Sequence, residues 1–245
     1  MREDIDAPRL YTQLANWWSL LSPPSHYVEE AQDLLNDLRH VRGARPQTLL
    51  ELDCGGGSLA CNLKGLFQLT LTDISADMLA LSREVNPECE HVLGDMRNLD
   101  LGRQFDVVLI HDAIMYATTP EDVQATFQTA ATHCRAGGLT LLLPDCVRET
   151  FRPSTSSGGE DGANGRGMRY LEWSWDPDPR DDTFEVAYAF LLRDADGSMR
   201  TEGDRHQCGL FSKDQWIEWL TAAGFEVQSR VDPWERVVFA GVRQR

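Results

Sequence analysis

The sequence predicts an α/β fold in which a mostly parallel sheet of seven strands carries helices on both faces and an antiparallel strand insertion follows the fifth strand. Three observations predict it. A short apolar run, Thr48 to Leu52, passes directly into Gly55-Gly56-Gly57, which is typical of a buried parallel strand that ends in a tight turn. Strand and helix signals then alternate, as crossover connections between parallel strands require. Residues 148 to 209 instead carry long extended runs separated by turn signals.

Composition and charge restrict the possible partners. The chain has 245 residues, and its 23 Lys plus Arg against 39 Asp plus Glu give a formal net charge of −16. A nucleic-acid partner is therefore not expected, because such partners are held largely through phosphate neutralisation by basic residues. No apolar run approaches the roughly 18 residues of a membrane span, and the N-terminus lacks the layout of a signal peptide. We expect a cytoplasmic protein with no membrane partner, either a monomer or a homodimer.

The six cysteines form no CxxC pair, and the histidines show no ligand spacing, so neither a metal site nor a disulfide framework is expected. The chain is predicted to be a single domain with four parts. These are a helical N-terminal cap (1–45), a cofactor-binding core (46–147), a substrate-side insertion (148–209), and a C-terminal helix with a closing strand pair (210–245).

The cap is predicted to contain two helices. Apolar residues recur at helical spacing over residues 7 to 21, and Ser22-Pro23-Pro24 ends that segment; a second helix is predicted from Tyr27 to Val41. Further helices are predicted to start near Ser58, at Ala76 with Ser75 as its N-cap, after Pro120, and at Ser212. After the first strand, the main sheet is predicted to continue at Leu69 to Thr72, His91 to Leu93, Phe105 to Ile110, Leu139 to Leu143, Phe225 to Val231 and Arg236 to Val242.

In the insertion, Ser154 to Gly167 is rich in Ser and Gly and is predicted to be a mobile loop. The extended runs that follow are Met168 to Trp175, Thr183 to Arg193 and Met199 to Cys208. The two-residue period of the first run puts Tyr170, Glu172 and Ser174 on one face and Arg169, Leu171, Trp173 and Trp175 on the other. We expect the second, apolar face to form the underside of the inserted sheet, with Arg169 and Trp173 as candidate substrate contacts.

Polar and glycine residues follow three neighbouring strands. The turn Cys54 to Ser58 lets the backbone approach a ligand closely, and the helix after it presents free N–H groups. Asp73 ends the second strand, where a carboxylate can accept both hydroxyls of a ribose, and Asp95 follows the third strand. The three strand ends therefore predict one ligand crevice at the carboxyl edge of the sheet. Gly55-x-Gly57-x-x-Ala60 with Asp73 also fits a dinucleotide fingerprint, so a nicotinamide enzyme is an alternative.

Four segments in the same order resemble the class I S-adenosylmethionine-dependent methyltransferases over about Thr48 to Pro144. They are Glu51-Leu52-Asp53-Cys54-Gly55-Gly56-Gly57, Thr72-Asp73-Ile74-Ser75-Ala76-Asp77-Met78-Leu79, Gly94-Asp95-Met96 and Phe105-Asp106-Val107-Val108-Leu109. The resemblance implies the Rossmann-like methyltransferase fold and S-adenosyl-L-methionine as cofactor, with S-adenosyl-L-homocysteine as product. Within the family, the chain looks most like small-molecule methyltransferases, including the sugar amine N-methyltransferases.

The resemblance also implies roles for individual residues. Glu51 and the glycine backbone would hold the methionine moiety, Asp73 the ribose and Ile74 the adenine, while Asp95 and the Met96 N–H would read the adenine edge. The full set of implied cofactor contacts is Tyr11, Glu51, Asp53, Cys54, Gly55, Gly57, Asp73, Ile74, Met78, Asp95, Met96 and His111. Acceptor contacts are predicted at Trp18, Tyr116, Arg169, Trp173 and His206.

Two questions are open in the sequence. Asp53 replaces the first glycine of the family pattern, and its carboxylate either salt-bridges the methionine ammonium, repels its carboxylate, or points aside. His111 and His206 are candidate general bases, since histidine with its ordinary pKa near 6.5 suits that work, yet an amine acceptor needs no base. The predicted function is methyl transfer to N or O of a small-molecule acceptor by in-line displacement. The alternatives are a non-catalytic S-adenosylmethionine-binding regulator and a protein or RNA methyltransferase.

Overall fold

The computed structural model describes residues 8–43 and 45–244. Its main sheet has seven strands in the spatial order β10-β11-β5-β4-β1-β2-β3. Their bounds are β1 Thr48–Leu52, β2 Gln68–Asp73, β3 Glu90–Leu93, β4 Phe105–Ile110, β5 Cys134–Leu142, β10 Phe225–Val231 and β11 Val237–Arg243. The first five strands run parallel, and β11 pairs antiparallel with both β5 and β10. The predicted α/β sheet is confirmed.

The helices of the core connect these strands. They are α3 Ala60–Leu63, α4 Ala76–Val85, α5 Pro120–His133 and α6 Lys213–Ala222. The Ser75 hydroxyl accepts a hydrogen bond from the Met78 N–H at 3.2 Å, which confirms the predicted N-cap of α4. The central strands β1 and β4 are apolar and almost wholly buried, as strands covered by helices on both faces must be. The sheet therefore holds its carboxyl edge rigidly in place.

The insertion forms a second, antiparallel sheet in the order β6-β7-β8-β9. Its strands are β6 Ser154–Gly158, β7 Gly167–Trp175, β8 Thr183–Arg193 and β9 Met199–Gly209. The prediction of a loop throughout Ser154 to Gly167 was wrong for its first five residues, because β6 gains backbone hydrogen bonds from β7 although its own side chains are small and exposed.

The predicted orientation of β7 was also wrong. Leu171 and Trp173 are exposed on the outer face, whereas Tyr170, Glu172 and Ser174 point inward and line a cavity. The two-residue period was correct, but the inner face of this sheet covers a polar cavity rather than an apolar core. Polar side chains therefore face inward.

The N-terminal segment is less regular than its periodicity predicts. Instead of one helix it has 3₁₀ turns at Arg9–Tyr11 and Ala15–Trp17 and a short α1, Trp18–Leu21. A second helix, α2 Val28–Leu35, is flanked by 3₁₀ turns. The apolar side chains of the first segment are buried against Met168, Phe190 and Leu192 of the insertion. Packing against the second sheet, rather than helix propensity, therefore sets this path. Among the helices of residues 8–43 and 45–244, none has the length and apolar character to cross a membrane.

Candidate active site

A cavity of about 1010 Å³ opens at the carboxyl ends of β1, β2, β4 and β5. The N-terminal segment forms one wall and the inner face of the inserted sheet another. The Ser75 hydroxyl donates a hydrogen bond of 2.6 Å to the Tyr11 carbonyl oxygen, which holds the N-terminal segment against the start of α4. The predicted crevice at this edge is therefore roofed by the two segments outside the core.

The glycine turn forms the floor of this cavity. Gly55 and Gly57 have φ of +55° and +74°, a region that favours glycine. A Cβ on Gly57 would lie 2.4 Å from the Ser82 hydroxyl oxygen, and one on Gly56 would lie 2.4 Å from the Trp18 indole ring. Side chains cannot be added here without displacing these neighbours, so the turn presents bare backbone to a ligand.

Asp73 connects the end of β2 to this turn. One carboxylate oxygen accepts the Gly55 N–H at 2.8 Å and the other accepts the Ser75 N–H at 2.7 Å. Each oxygen has further acceptor capacity, and the side chain lines the cavity. The geometry is suited to accepting a pair of ligand hydroxyls.

Asp53 has φ of +59°, which explains why glycine is favoured at this position. Its carboxylate turns toward β2 and accepts the Ile74 N–H at 3.2 Å. Burial, together with the negative Asp73 nearby, raises the pKa of Asp53. Of the orientations that the sequence left open, the structure has the one in which the side chain points aside to a backbone donor.

Glu51 is the most deeply buried carboxylate of the site. Its Oε2 atom has no hydrogen-bond partner among the described residues. Burial raises its pKa; the nearby His111 opposes that effect and the negative Asp73 adds to it, and the pKa reaches about 7. An unpaired buried acceptor is costly, and a cationic ligand group would relieve that cost. Together with the bare glycine backbone, this residue fits the methionine ammonium of S-adenosylmethionine.

His111 lines the cavity, and its contacts shift its pKa away from the ordinary value near 6.5. Its Nε2 lies 2.7 Å from Glu30 Oε1 and its Nδ1 lies 3.2 Å from Asp112 Oδ2. Burial alone would lower the pKa of His111, but the charge of Asp112 and the hydrogen bond to Glu30 outweigh it and raise the pKa to about 9. Both ring nitrogens therefore carry protons at neutral pH. His111 cannot serve there as the predicted general base.

The second candidate, His206, belongs to a row of hydrogen-bonded side chains. Its Nε2 lies 3.0 Å from Asp204 Oδ2, and its Nδ1 lies 2.8 Å from the Tyr116 hydroxyl. The Tyr116 hydroxyl lies 2.6 Å from that of Tyr11. We call these four residues the Tyr11–Asp204 chain. Tyr11, Tyr116 and His206 line the cavity, whereas Asp204 lines a separate surface hollow.

Most predicted site residues line the cavity. They are Tyr11, Trp18, Glu51, Asp53, Cys54, Gly55, Asp73, Ile74, His111, Tyr116 and His206. Four predicted cofactor contacts lie outside its walls. Gly57 faces Ser82 and Asn86 on the side of the turn away from the cavity, and Met78 lies next to Gly55. Met96 is buried in the core, and Asp95 forms an ion pair with Arg97.

Two predicted acceptor contacts were wrong. Trp173 is 53% exposed, and Arg169 is exposed and paired with Asp161 at 2.8 Å. Both lie on the outer face of β7, because the inward positions of this strand are those of Tyr170, Glu172 and Ser174.

Several functional candidates were missed. Asp112 and Asp145 follow the ends of β4 and β5 and line the cavity, so the same strand-end argument that selected Asp73 applies to them. Much of the Asp145 surface is accessible, but it opens into the cavity; enclosure by protein and the negative Asp112 raise its pKa well above the ordinary value. Glu172 was grouped correctly with Tyr170 and Ser174, but that face was not expected to point into the cavity. Glu30, on α2, had no signal in the sequence.

The chain is similar to known methyltransferases. A family described as "Methyltransferase domain" matches residues 49–138. The dTDP-3-amino-3,6-dideoxy-alpha-D-glucopyranose N,N-dimethyltransferase of Streptomyces fradiae is 27% identical over 82% of this chain and 78% of that protein. The dTDP-3-amino-3,4,6-trideoxy-alpha-D-glucopyranose N,N-dimethyltransferase of Streptomyces venezuelae is 29% identical over 88% of this chain and 91% of that protein.

Solved structures share the fold of this chain. The crystal structure of Streptomyces venezuelae DesVI superposes with a TM-score of 0.84 at 26% identity, covering 94% of this chain and 98% of that one. CalS10, described as an amino pentose methyltransferase from Micromonospora echinaspora and solved with S-adenosylmethionine bound, shares the fold with a TM-score of 0.77 at 24% identity, covering 89% and 92%. Together with the glycine turn, the strand-end carboxylates and the sheet order described above, these matches support an S-adenosylmethionine-dependent methyltransferase.

Proposed function

We propose that the enzyme methylates the amino group of an amino sugar and transfers two methyl groups in succession. The two relatives compared above are both named as N,N-dimethyltransferases of dTDP-linked amino sugars. Each aligns along most of its own length. The acceptor is therefore expected to be a sugar nucleotide that carries a primary amine.

The observation that carries this proposal is the charge of the cavity. Its described lining residues include seven carboxylates and a single guanidinium, that of Arg152. The carboxylates are Glu51, Asp53, Asp73, Asp77, Asp112, Asp145 and Glu172. The pKa values of Glu51, Asp53 and Asp145 are raised, and a bound cation would favour the charged form of each. Both a protonated amine and the sulfonium of the cofactor are cationic. A neutral hydroxyl acceptor gains nothing comparable.

The state of His111 supports nitrogen over oxygen as the acceptor atom. A hydroxyl benefits from a base at the reacting atom, and the raised pKa of His111 favours its protonated form instead. An amine in its neutral form has its own lone pair, so alignment and exclusion of water are the main requirements.

We assign the cofactor end of the cavity as follows. S-adenosylmethionine supplies an electrophilic methyl group on a sulfonium. Glu51 would bind its methionine ammonium, Asp73 its ribose hydroxyls, and the exposed Ile74 would pack against adenine. Trp18 and Tyr11 would close over the cofactor from the N-terminal segment.

The acceptor end would then be the part of the cavity beneath the inserted sheet. Glu172 and Ser174 of β7 and Asp145 after β5 all line it. Carboxylates there would hold the acceptor amine by charge-assisted hydrogen bonds.

We also infer a cytoplasmic location, in keeping with six cysteines that are all free thiols.

A pair of matched acceptors tests the proposal. A dTDP-linked 3-amino sugar and its 3-hydroxy counterpart are incubated separately with enzyme and S-adenosylmethionine, and products are analysed by mass spectrometry. We expect one and then two methyl groups on the amino sugar and none on the hydroxy sugar. Methylation of the hydroxy sugar at a comparable rate, or of neither, would contradict the proposal.

A further inference from the structure

Each methyl transfer to an amine leaves a proton that must be removed. The first product is a methylammonium, which has no lone pair until it loses a proton, so a second transfer in the same cavity requires a route for that proton. We propose that the Tyr11–Asp204 chain carries this proton from the acceptor nitrogen to the surface. The inference rests on the proposed function, since it applies to an enzyme that dimethylates an amine.

The hydrogen bonds of the chain have a defined direction. Asp204 Oδ2 is a carboxylate oxygen that accepts the Leu10 N–H at 2.7 Å. Because a carboxylate has no proton to donate, Nε2 of a neutral His206 must be the donor in the 3.0 Å contact with the same oxygen. That fixes the proton of the neutral imidazole on Nε2 and leaves Nδ1 as an acceptor for the Tyr116 hydroxyl. Tyr116 then donates to His206 and accepts from Tyr11. The free acceptor of the whole chain is thus the Tyr11 oxygen.

Burial keeps this chain connected. His206 is 2% exposed, and its ring lies among those of Tyr11, Tyr116 and Tyr188, at 5.7, 5.8 and 5.0 Å between centroids. Burial alone would raise the pKa of Asp204, but the hydrogen bonds from His206 and the Leu10 N–H lower it. A carboxylate therefore lies behind His206 and accepts its Nε2 proton in a hydrogen bond. The other titratable groups facing the imidazole are Tyr188 on β8, Glu172 on β7 and Cys208 on β9.

The chain joins two different surfaces. Its first three members line the reaction cavity, and Asp204 lines a surface hollow with Thr12 and Gln13. The N–H bond of the methylammonium breaks and its proton passes to the Tyr11 oxygen. The Tyr11 proton passes to Tyr116, and the Tyr116 proton passes to Nδ1 of His206. The Nε2 proton then leaves by way of Asp204 to water, and the nitrogen electron pair stays on the amine for the second displacement.

Tyr11 would contact the acceptor nitrogen as well as close over the cofactor, whereas Tyr116, His206 and Asp204 act through it as positioning residues. Substitution Tyr116→Phe interrupts the chain and keeps the ring. Tyr188→Phe is the matched control, because it removes a hydroxyl beside the same imidazole but outside the chain. For each protein we would measure cofactor affinity by calorimetry, the ratio of monomethyl to dimethyl product, and the pH dependence of each transfer.

We expect Tyr116→Phe to slow the second transfer by about 10²-fold at neutral pH, the lower end of what a proton-transfer group contributes. Monomethyl product should accumulate, cofactor affinity should stay within a few-fold, and added imidazole should partly restore the second transfer. Wild type and Tyr188→Phe should share the same pH dependence of the second transfer. The Tyr116→Phe rate should follow hydroxide or buffer concentration instead.

A wild-type product ratio and pH dependence in Tyr116→Phe would overturn the chain while leaving the proposed function intact. If wild type methylates no amine, the proposed function and the chain fall together. Should Tyr116→Phe lose cofactor binding, Asp204→Asn serves as the second variant, since it keeps an oxygen for the Leu10 N–H and removes the charge behind His206. Unchanged product ratios in that variant would equally overturn the proposal.

Discussion

Replacing Glu51 with Gln should stabilise the cofactor-free enzyme while weakening its binding of S-adenosylmethionine. Glu51 is buried with one oxygen unpaired, and its pKa is raised from 4.5 to about 7. Between these two values the unfolded chain releases the proton while the folded chain keeps it, so wild-type stability falls as pH rises through this window. A pKa difference of one unit between the folded and unfolded chain changes the free energy of unfolding by about 1.4 kcal/mol. The folded enzyme therefore loses about 3 kcal/mol of stability at alkaline pH.

The assay is urea unfolding of both proteins, without cofactor, at about pH 5 and about pH 8.5, where the advantage of Glu51→Gln should grow by about 2.5 kcal/mol. Comparing two pH values removes any constant cost of burying the new amide. Glu84→Gln, at an exposed position on α4, controls for the loss of one negative charge. Calorimetry should show weaker cofactor binding only in Glu51→Gln. A stability difference that does not change with pH would refute the reasoning.

Three further predictions follow from the same contacts. Asp73→Ala should lower cofactor affinity by roughly 1.5 to 3 kcal/mol in calorimetry, the range for hydrogen bonds to a charged group, and unchanged affinity would exclude the ribose assignment. The protonated form of His111 stabilises the fold fully below pH 6.5, and this stabilisation is lost as pH rises through about 9. The melting temperature of His111→Gln should therefore fall less than that of wild type over this window. Identical pH dependence of the two proteins would argue against the Glu30 ion pair. Glu172→Gln should raise the KM for the amine several-fold without changing cofactor affinity. Trp173→Ala, on the exposed outer face of the same strand, should change neither quantity. Equal effects of the two substitutions would disprove the assigned orientation of β7.

The sheet and the cofactor end of the site could be predicted because their signals are local. A strand followed by a glycine turn, or by an acidic residue, can be recognised from one short stretch of consecutive residues. Glu51, Asp73 and the glycine turn were found in this way, and the structure brings them to one cavity. The N-terminal helix could not be predicted correctly, because its path is set by packing against Met168 and Phe190, far along the chain.

The acceptor end depended on relations that a single sequence does not display. The pKa of His111 is set by Glu30, 81 positions earlier, and by Asp112. The inward face of β7 was misassigned because apolar residues were expected to point inward, and here the inward face lines a polar cavity. The Tyr11–Asp204 chain combines the N-terminal segment, the turn after β4 and strand β9, so only the folded structure could reveal it.

The central claim is that methyl groups pass from S-adenosylmethionine to an amine nitrogen. Its most direct test uses a cofactor labelled isotopically in the methyl group, a dTDP-linked amino sugar, and nuclear magnetic resonance of the purified product. The account predicts that both labelled methyl groups couple to the carbon that bears the nitrogen. Label on a hydroxyl oxygen, or no label in the sugar, would contradict it.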